Sequence, residues 1–203
     1  MATVSIAADS QCRPLSRRRL FWKCVRSLIV LAPLAAGSHD LAAQQQPSES
    51  QIKAAYLYNF GKFVTWPPGQ ATNQDLFVIC ILGKDPFREV LDATVRGESI
   101  GKKQITVRRL SRMPDAAGCN ILFISSSEQS RLGQILADAQ RMHLLTVSDM
   151  THFAERGGVI GLVTQQDRVR FEVNRQAAEQ SHLALSSELL KVAVRVIASK
   201  AER

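Results

Sequence analysis

Four polar residues alternate along one short segment of the C-terminal half of the chain. Within DRVRFEVN they are Arg168, Arg170, Glu172 and Asn174, with apolar residues at the positions between them. In a β-strand this alternation places all four on one face. Arginine offers forked donors to a carboxylate, and glutamate accepts hydrogen bonds from an ammonium group. The pattern is compatible with a binding face for an amino acid or a protein partner, but spacing alone favours a solvated face of cross-strand charges.

An aromatic residue directly before two prolines is the second feature with binding chemistry. Trp66 closes the segment NFGKFVTW and is followed by Pro67 and Pro68. The residue before a proline is restricted to extended conformations, so a helix must end at or before Trp66. Its indole either covers the core where the chain turns or remains exposed as an anchor for a partner. The sequence slightly favours the core-covering role, and the role of a partner anchor stays a hypothesis.

Serine and aspartate residues follow two predicted strands, where α/β proteins commonly bind ligands. They are Ser125, Ser126 and Ser127 after one strand, and Ser148 and Asp149 after another. No GxSxG motif surrounds them, and both residue types are good helix caps, which is the interpretation we favour. Local sequence places no histidine or second acid beside Asp149. We therefore expect a protein that is not an enzyme.

Histidines do not form a recognisable metal motif. The four are His39, His143, His152 and His182. No two of them stand at the spacing that joins metal ligands on one helix or strand, and no CxxC motif accompanies them. We interpret them as surface or cap residues and expect neither a metal site nor a cofactor.

The N-terminal residues have the pattern of a secretory signal. A basic segment, SRRRLFWK, precedes the apolar run 27–37, which is shorter than the about 20 residues that span a bilayer. We predict a signal peptide over residues 1–43, cleaved near Ala43, with Ala36 or Gly37 as alternative sites and an uncleaved anchor as the competing interpretation. A twin-arginine signal is an alternative to a plain basic segment. Residues 44–50 are then a polar spacer, and residues 51–199 one domain.

Removing this segment changes the charge and the cysteine content. The full chain has 203 residues and a formal charge of +8, of which residues 1–43 carry +4. The remaining +4 gives little support to nucleic-acid binding. Two cysteines, Cys80 and Cys119, remain in the predicted mature chain. In an oxidising compartment we expect them to form a disulfide, the alternative being two buried free thiols.

Hydrophobic patterns predict alternating strands and helices. A capping box at Ser48 begins a helix through Val64. Buried strands are predicted at 75–83, 119–125 and 143–149, and an amphipathic strand around Ile105 and Val107. A short helix is predicted to begin at Pro86. Further helices are predicted at residues 127–141, at residues 150–156, and from about Ser186 to residue 200. Residues 158–174 predict a β-hairpin with the turn QQDR.

These elements predict a single α/β domain. Its central sheet is mixed: the strands from the first part of the chain are parallel, and the C-terminal edge is antiparallel. Helices flank the sheet, and a β-hairpin plus a helix form the C-terminal part.

The order of motifs resembles the YfiR-like periplasmic proteins. The matching segments include QIKAAYLYNFGKFVTWP, FVICILGKDPF, CNILFIS, LLTVSDMTHFAERGGVIGLV, DRVRFEVN and LSSELLKVA. The resemblance implies a non-enzymatic periplasmic regulator that represses an inner-membrane diguanylate cyclase and so lowers cyclic di-GMP and biofilm formation. It also implies a homodimer, and a peptidoglycan-binding outer-membrane lipoprotein that sequesters the regulator.

The resemblance carries over to individual residues only in part. It implies a disulfide between Cys80 and Cys119. A second disulfide of some members has no counterpart, because Gly158 and Gly161 stand in that region. For a small aromatic ligand, the family implies Glu172 with Arg170 beside it, whereas residues 183–187 lack the expected basic character. A ligand-binding module acting on another receptor, such as a histidine kinase, is the alternative function.

Overall fold

The computed structural model describes residues 46–68 and 75–198. The predicted signal peptide and all three candidate cleavage sites therefore lie outside the described residues. The described part of the chain contains no helix with the length and apolar character needed to cross a bilayer.

The first helix, α1 (Glu49–Phe63), begins at the predicted capping box. The Ser48 hydroxyl accepts a hydrogen bond from the Gln51 amide, and the Gln51 side chain accepts one from the Ser48 amide at 2.7 Å. The helix ends before Trp66, as the prolines require, and continues into a two-residue strand, β1 (Val64–Thr65). The end of α1 is thereby fixed beside a later segment, β9 (Ala184–Leu185), which pairs with β1.

A mixed sheet of eight strands forms the centre of the domain. Its strands are β2 (Leu76–Leu82), β3 (Ser99–Ile100), β4 (Lys103–Leu110), β5 (Ile121–Ile124), β6 (Leu145–Ser148), β7 (Ile160–Gln165), β8 (Arg168–Asn174) and β10 (Arg195–Ile197). Their spatial order is β10-β8-β7-β6-β5-β2-β4-β3. The strands from β4 to β7 in this order run parallel, whereas β3 pairs antiparallel with β4, and β8 with β7.

Helices cover both faces of this sheet. They are α1 with α2 (Glu89–Val95), α3 (Leu132–Arg141), α4 (Arg175–Gln180) and α5 (Ser187–Val192). Alternate residues of β2 separate the two cores: Phe77, Ile79 and Ile81 pack with α1, α2, α4 and α5, whereas Val78 and Leu82 pack with α3. The predicted fold class, a mixed α/β domain with a central sheet and flanking helices, is confirmed.

The predicted disulfide is present. Cys80 in β2 and Cys119 just before β5 are bonded, with their Cα atoms 6.0 Å apart. Both residues are buried in the core on the α3 side of the sheet. The interpretation as two free thiols is therefore not supported.

A glycine inside α1 has a packing explanation. A Cβ atom on Gly61 would overlap the Ile100 side chain and lie 2.9 Å from Cζ of Phe77. Glycine in a helix interior costs about 1 kcal/mol relative to alanine. Here it lets α1 approach the sheet more closely than any side chain would allow.

The structure differs from the prediction at two helices, of which one begins later and the other does not form. The helix predicted from Pro86 begins only at Glu89, because the preceding residue, Arg88, has a non-helical backbone with φ 50° and ψ −128°. The helix predicted at 150–156 is wrong: these residues form successive turns. His152, at φ 59°, interrupts the helical conformation there.

The long C-terminal helix was also predicted wrongly. The helix stops at Val192, and the following residues form β10, which pairs parallel with β8. Three of the residues from Val192 to Val196 are valines, whose branched side chains favour strands over helices. Sequence analysis also missed α4, which lies between β8 and β9.

Candidate functional site

The hairpin that carries the four predicted polar residues has a well-defined register. β7 and β8 are joined by Gln166 and Asp167, both with left-handed backbone conformations at φ 49° and 56°. Such a two-residue turn matches the twist of the flanking strands. It pairs Gln165 with Arg168 and Val163 with Arg170. The predicted polar face of β8 therefore exists, opposite the face that Phe171 buries in the core.

Two residues of this face point out of the fold. Arg168 and Arg170 are exposed, and neither forms an ion pair with another residue in the part of the chain that the structure describes. Both line an open cleft of about 530 Å³ whose opposite wall includes Pro47 and Ile52, at the start of α1. Two guanidinium groups beside an apolar wall can bind a carboxylate through forked hydrogen bonds.

The other two residues contribute to the fold itself. Glu172 lies 3.8 Å from the Arg195 guanidinium, its register neighbour on β10, and Arg195 also bonds Glu155. The hydrogen bond from Arg195 holds the pKa of Glu155 below its usual value. Because the Arg195 guanidinium lies beside Glu172, that carboxylate is less available to an external ammonium group than the sequence alone predicts.

Asn174 is fully engaged within the protein. Its amide oxygen caps α4 by accepting from the Ala177 amide at 2.9 Å, and its amide nitrogen donates to the Ala154 carbonyl at 2.7 Å. The structure thus divides the predicted face in two: Arg168 and Arg170 point outward, whereas Glu172 and Asn174 contact other residues of the protein. The binding roles of all four residues stay predictions.

Trp66 is half-buried beside the core. Its ring packs edge-on against Phe77, with the ring centroids 5.3 Å apart. The indole nitrogen is buried and has no hydrogen-bond partner within the described residues. The first of the two roles, covering the core where α1 ends, is thus observed, whereas the role of a partner anchor remains a prediction.

The crevice where α/β proteins of this topology usually bind ligands is filled by the protein's own side chains. The strand order reverses between β2 and β5, which makes their carboxyl ends the expected ligand position. There the Ser127 hydroxyl accepts from the Lys84 amide at 3.0 Å and donates to Glu128. Glu128 is buried and forms an ion pair with Arg131. Ser125 has the predicted capping role, since its hydroxyl accepts a hydrogen bond from the Ser127 amide.

Ser148 and Asp149, at the end of β6, likewise make internal contacts. The Ser148 hydroxyl donates to the Ile124 carbonyl and accepts from the Met150 amide. Asp149 bonds Lys53 on α1 at 2.6 Å, and Lys53 also bonds Glu49 at 2.6 Å. Burial lowers the pKa of Lys53, but the hydrogen bonds to Asp149 and Glu49 outweigh it and raise that pKa above its usual value.

The Lys53–Asp149 pair predicts a defined dependence of stability on pH. Because the pKa of Lys53 is higher in the folded state, its contribution is complete below the unfolded value of 10.5 and is lost as pH rises through the folded value. Asp149→Asn should lower the free energy of unfolding by about 1 kcal/mol at pH 8. The difference in the free energy of unfolding between Asp149→Asn and wild type, measured by urea titration, should become smaller above pH 10.5. Glu49→Gln, at the more exposed partner, is the control and should cost less; an equal cost would contradict this ranking.

The described residues contain no group of three or more histidine, cysteine or acidic side chains arranged to hold a metal ion.

A family model described as YfiR/HmsC-like matches residues 50–194, from the first turn of α1 to the residue before β10. The chain belongs to this family. The YfiR/HmsC-like region thus includes α1, the disulfide and the hairpin, and it confirms the resemblance seen in the sequence.

Two solved structures are similar to this chain at low sequence identity. One is a conserved domain protein from Vibrio cholerae O1 biovar El Tor strain N16961, with 11% identity and a TM-score of 0.49. Another is the ABC domain in complex with L-Trp from Streptococcus pneumonia, with 11% identity and a TM-score of 0.50. Each alignment covers 73% of this chain and 60% of the other, so the chain spans about three fifths of either structure. No curated protein sequence matches this YfiR/HmsC-like chain.

Proposed function

We propose that this protein is an exported periplasmic regulator that binds and represses the periplasmic domain of an inner-membrane diguanylate cyclase. The observation that carries the proposal is the YfiR/HmsC-like match over residues 50–194. Proteins of this family are regulatory rather than catalytic, and they act in the periplasm on diguanylate cyclase systems. Binding would keep the cyclase inactive and the concentration of cyclic di-GMP low.

The proposal includes further features that the family implies. The protein is secreted through the signal peptide at residues 1–43 and forms a homodimer. A peptidoglycan-binding outer-membrane lipoprotein relieves the repression by sequestering it. The disulfide between Cys80 and Cys119 supports the oxidising location, since such bonds persist in the periplasm and are rare in reducing compartments.

The decisive experiment is co-purification of the full chain with the inner-membrane diguanylate cyclase of the same organism. We expect the two proteins to purify together from detergent extracts, and deletion of the regulator to raise cyclic di-GMP. Unchanged cyclic di-GMP after deletion, together with a cyclase that purifies alone, would show that the protein acts in another pathway.

The contact surface that we assign to the cyclase is the outward pair of arginines on β8. Charge reversal by Arg168→Glu and Arg170→Glu together should weaken association by about tenfold or more, because guanidinium groups paired with partner carboxylates contribute through charge-assisted hydrogen bonds. Pull-down titration of the folded variants measures this loss.

A matched control lies at the opposite edge of the sheet. Arg96 and Lys102 flank β3, are exposed, and form no ion pair with another described residue. Reversing both changes the net charge by the same amount and should leave association within about twofold, since long-range steering is screened by salt. Equal losses in the two double variants would assign the effect to net charge rather than to the β8 face.

The alternative function is a small-ligand-binding module that acts on another receptor, such as a histidine kinase. The cleft beside Arg168 and Arg170 favours this alternative, because it offers guanidinium groups and an apolar wall to an amino acid. Calorimetry of the full chain with aromatic amino acids tests it. Heat of binding that is lost in Arg170→Ala and Glu172→Ala would support a ligand site, and no heat in wild type would reject one for these ligands.

A further inference from the structure

The two edges of the central sheet differ in how they are protected. At one edge, β3 has only two residues, and the charged side chains of Arg96, Glu98 and Lys102 beside it are exposed. Short strands and charged side chains are the usual means by which proteins prevent a sheet edge from pairing with another chain. The β3 edge of the sheet therefore opposes further strand pairing.

The opposite edge is formed by β10 and the residues directly before it. Ala193 is already extended, with ψ 136°, and the Val194 amide donates to the Phe171 carbonyl of β8 at 3.0 Å. Backbone groups of successive strand residues point to opposite edges of the strand. Those of Arg195 and Ile197 therefore point away from β8, and no described strand pairs with them on that side.

The β10 edge has neither proline nor an unpaired charge among its described residues. Its one charged residue, Arg195, forms an ion pair with Glu155 and lies 3.8 Å from Glu172, so two carboxylates of the same molecule lie beside its charge. Four large hydrophobic residues are exposed in the described part of the chain. Three of the four lie at this edge: Val192, Val194 and Val196. The exposed apolar surface is thus concentrated where the backbone is also available for pairing.

We infer that β10 pairs antiparallel with β10 of a second copy of this chain, about a two-fold axis that joins the two sheets into one. The inference rests on the homodimer of the proposed function and names the surface that forms it. A strand that pairs antiparallel with its own copy completes the contact, because both subunits use the same surface and no edge is left over for a third copy. The exposed valines of the two copies then pack together out of water.

The residues of the edge select one register for this pairing. A two-fold axis at Arg195 would place the guanidinium groups of the two copies opposite each other, and like charges in that position are destabilising. An axis at Ile197 would place Arg195 opposite residue 199, beyond the end of β10. An axis at Val196, the middle residue of β10, places Arg195 opposite Ile197 of the second copy and keeps the whole strand paired.

Cysteine cross-linking of the full chain tests this register. The backbone groups of Val196 are directed to β8, so Val196 on the axis forms a non-hydrogen-bonded pair with its copy, with the Cα atoms about 4.5 Å apart. A disulfide spans Cα separations of about 4.4 to 6.8 Å. Val196→Cys should therefore give a covalent dimer under mild oxidation, seen by non-reducing electrophoresis and released by reductant. Cys80 and Cys119 are buried and already bonded to each other, so they do not compete.

Val194→Cys is the matched control for the position of the axis. Val194 lies on the same face of the same extended segment and is equally exposed, at 41% against 39% for Val196. In the register centred on Val196 it lies opposite Ala198 of the second copy and about 13 Å from the second Val194, which is too far for a disulfide. Val194→Cys should give about tenfold less covalent dimer than Val196→Cys.

Val196→Lys tests the same surface without a cross-link. Two lysines opposite each other on the axis should raise the dissociation constant of the dimer by about tenfold or more, measured by sedimentation over a range of protein concentrations. Thr164→Lys adds the same charge at an exposed position of β7, away from the edge, and should leave that constant within about twofold.

The inference is wrong if Val196→Cys gives no covalent dimer, if Val194→Cys gives as much, or if Val196→Lys weakens the dimer no more than Thr164→Lys. A wild type that still sediments as a dimer in any of these cases would show that the homodimer forms through another surface. A wild type that is monomeric at every concentration would reject the homodimer as well as this surface. Binding to the cyclase is measured separately by co-purification, so its failure is distinguishable from each of these results.

Discussion

Replacing Cys80 and Cys119 together by alanine is expected to lower the free energy of unfolding by about 4 kcal/mol. The disulfide joins residues separated by 39 positions and so restricts a large loop in the unfolded chain. Both cysteines are buried, which adds the loss of packed sulfur atoms to the loss of the cross-link. Urea denaturation of wild type and of the double variant measures the difference.

Reduction of the wild type separates the cross-link from the packing. A reductant removes the bond but leaves both sulfur atoms in place, so the wild type should lose most of the about 4 kcal/mol expected from loop closure. The double variant should be unaffected by reductant. A wild-type stability that does not change after complete reduction, confirmed by thiol labelling, would contradict the cross-link as a source of stability.

Phe60→Ala is expected to destabilise the domain by about 3 to 5 kcal/mol, the range for large aromatic residues removed from a core. Phe60 is 1% exposed and packs edge-on against Phe171, with the ring centroids 5.1 Å apart, and stacks on Tyr56. These contacts attach α1 to β8, the strand that carries the proposed partner-binding arginines. The variant should therefore unfold at a lower urea concentration than wild type.

The matched control is Phe63→Ala, the same substitution less than one turn later in the same helix. Phe63 is 38% exposed, so its removal should cost far less, within about 1 kcal/mol of wild type. Comparable losses at the two positions would show that helix propensity, which the two substitutions change alike, outweighs core packing. Circular dichroism at a series of urea concentrations distinguishes the two outcomes.

Local patterns predicted those parts of the fold that depend on neighbours in sequence. The capping residues of α1 and the continuous apolar run of β2 need only the chemistry of adjacent positions, and both were placed correctly. The polar alternation of β8 was also read correctly. In contrast, Gly61 is explained only by Phe77 and Ile100, which approach it from other elements.

The site was harder to predict because its contacts join distant positions. Lys53 and Asp149 are 96 residues apart, so no spacing rule could pair them. Glu172 and Asn174 were assigned to the same face as Arg168, but β10 and the segment before β7 engage them from the side. The contact between the rings of His143 and His182 likewise joins residues that are distant in the sequence.

The C-terminal strand shows where periodicity alone misleads. Leu189, Leu190 and Ala193 fit a helical stripe, which favoured a long helix. Of these, Leu189 is buried and lies in α5, whereas Ala193 is already extended. Tertiary pairing with β8 outweighs the local pattern, as the backbone groups of β8 gain hydrogen bonds from β10.

The first and the last described elements, α1 and β10, both contact β8. Helix α1 does so through the packing of Phe60 on Phe171 and the hydrogen bond from Tyr56 to the Val169 carbonyl. Strand β10 pairs with β8 in parallel. During synthesis, α1 emerges more than a hundred residues before the strand that holds it. Contacts of such long sequence separation close late in folding. A nascent chain lacking β8 therefore leaves the side of α1 that carries Tyr56 and Phe60 uncovered until β8 has been synthesised.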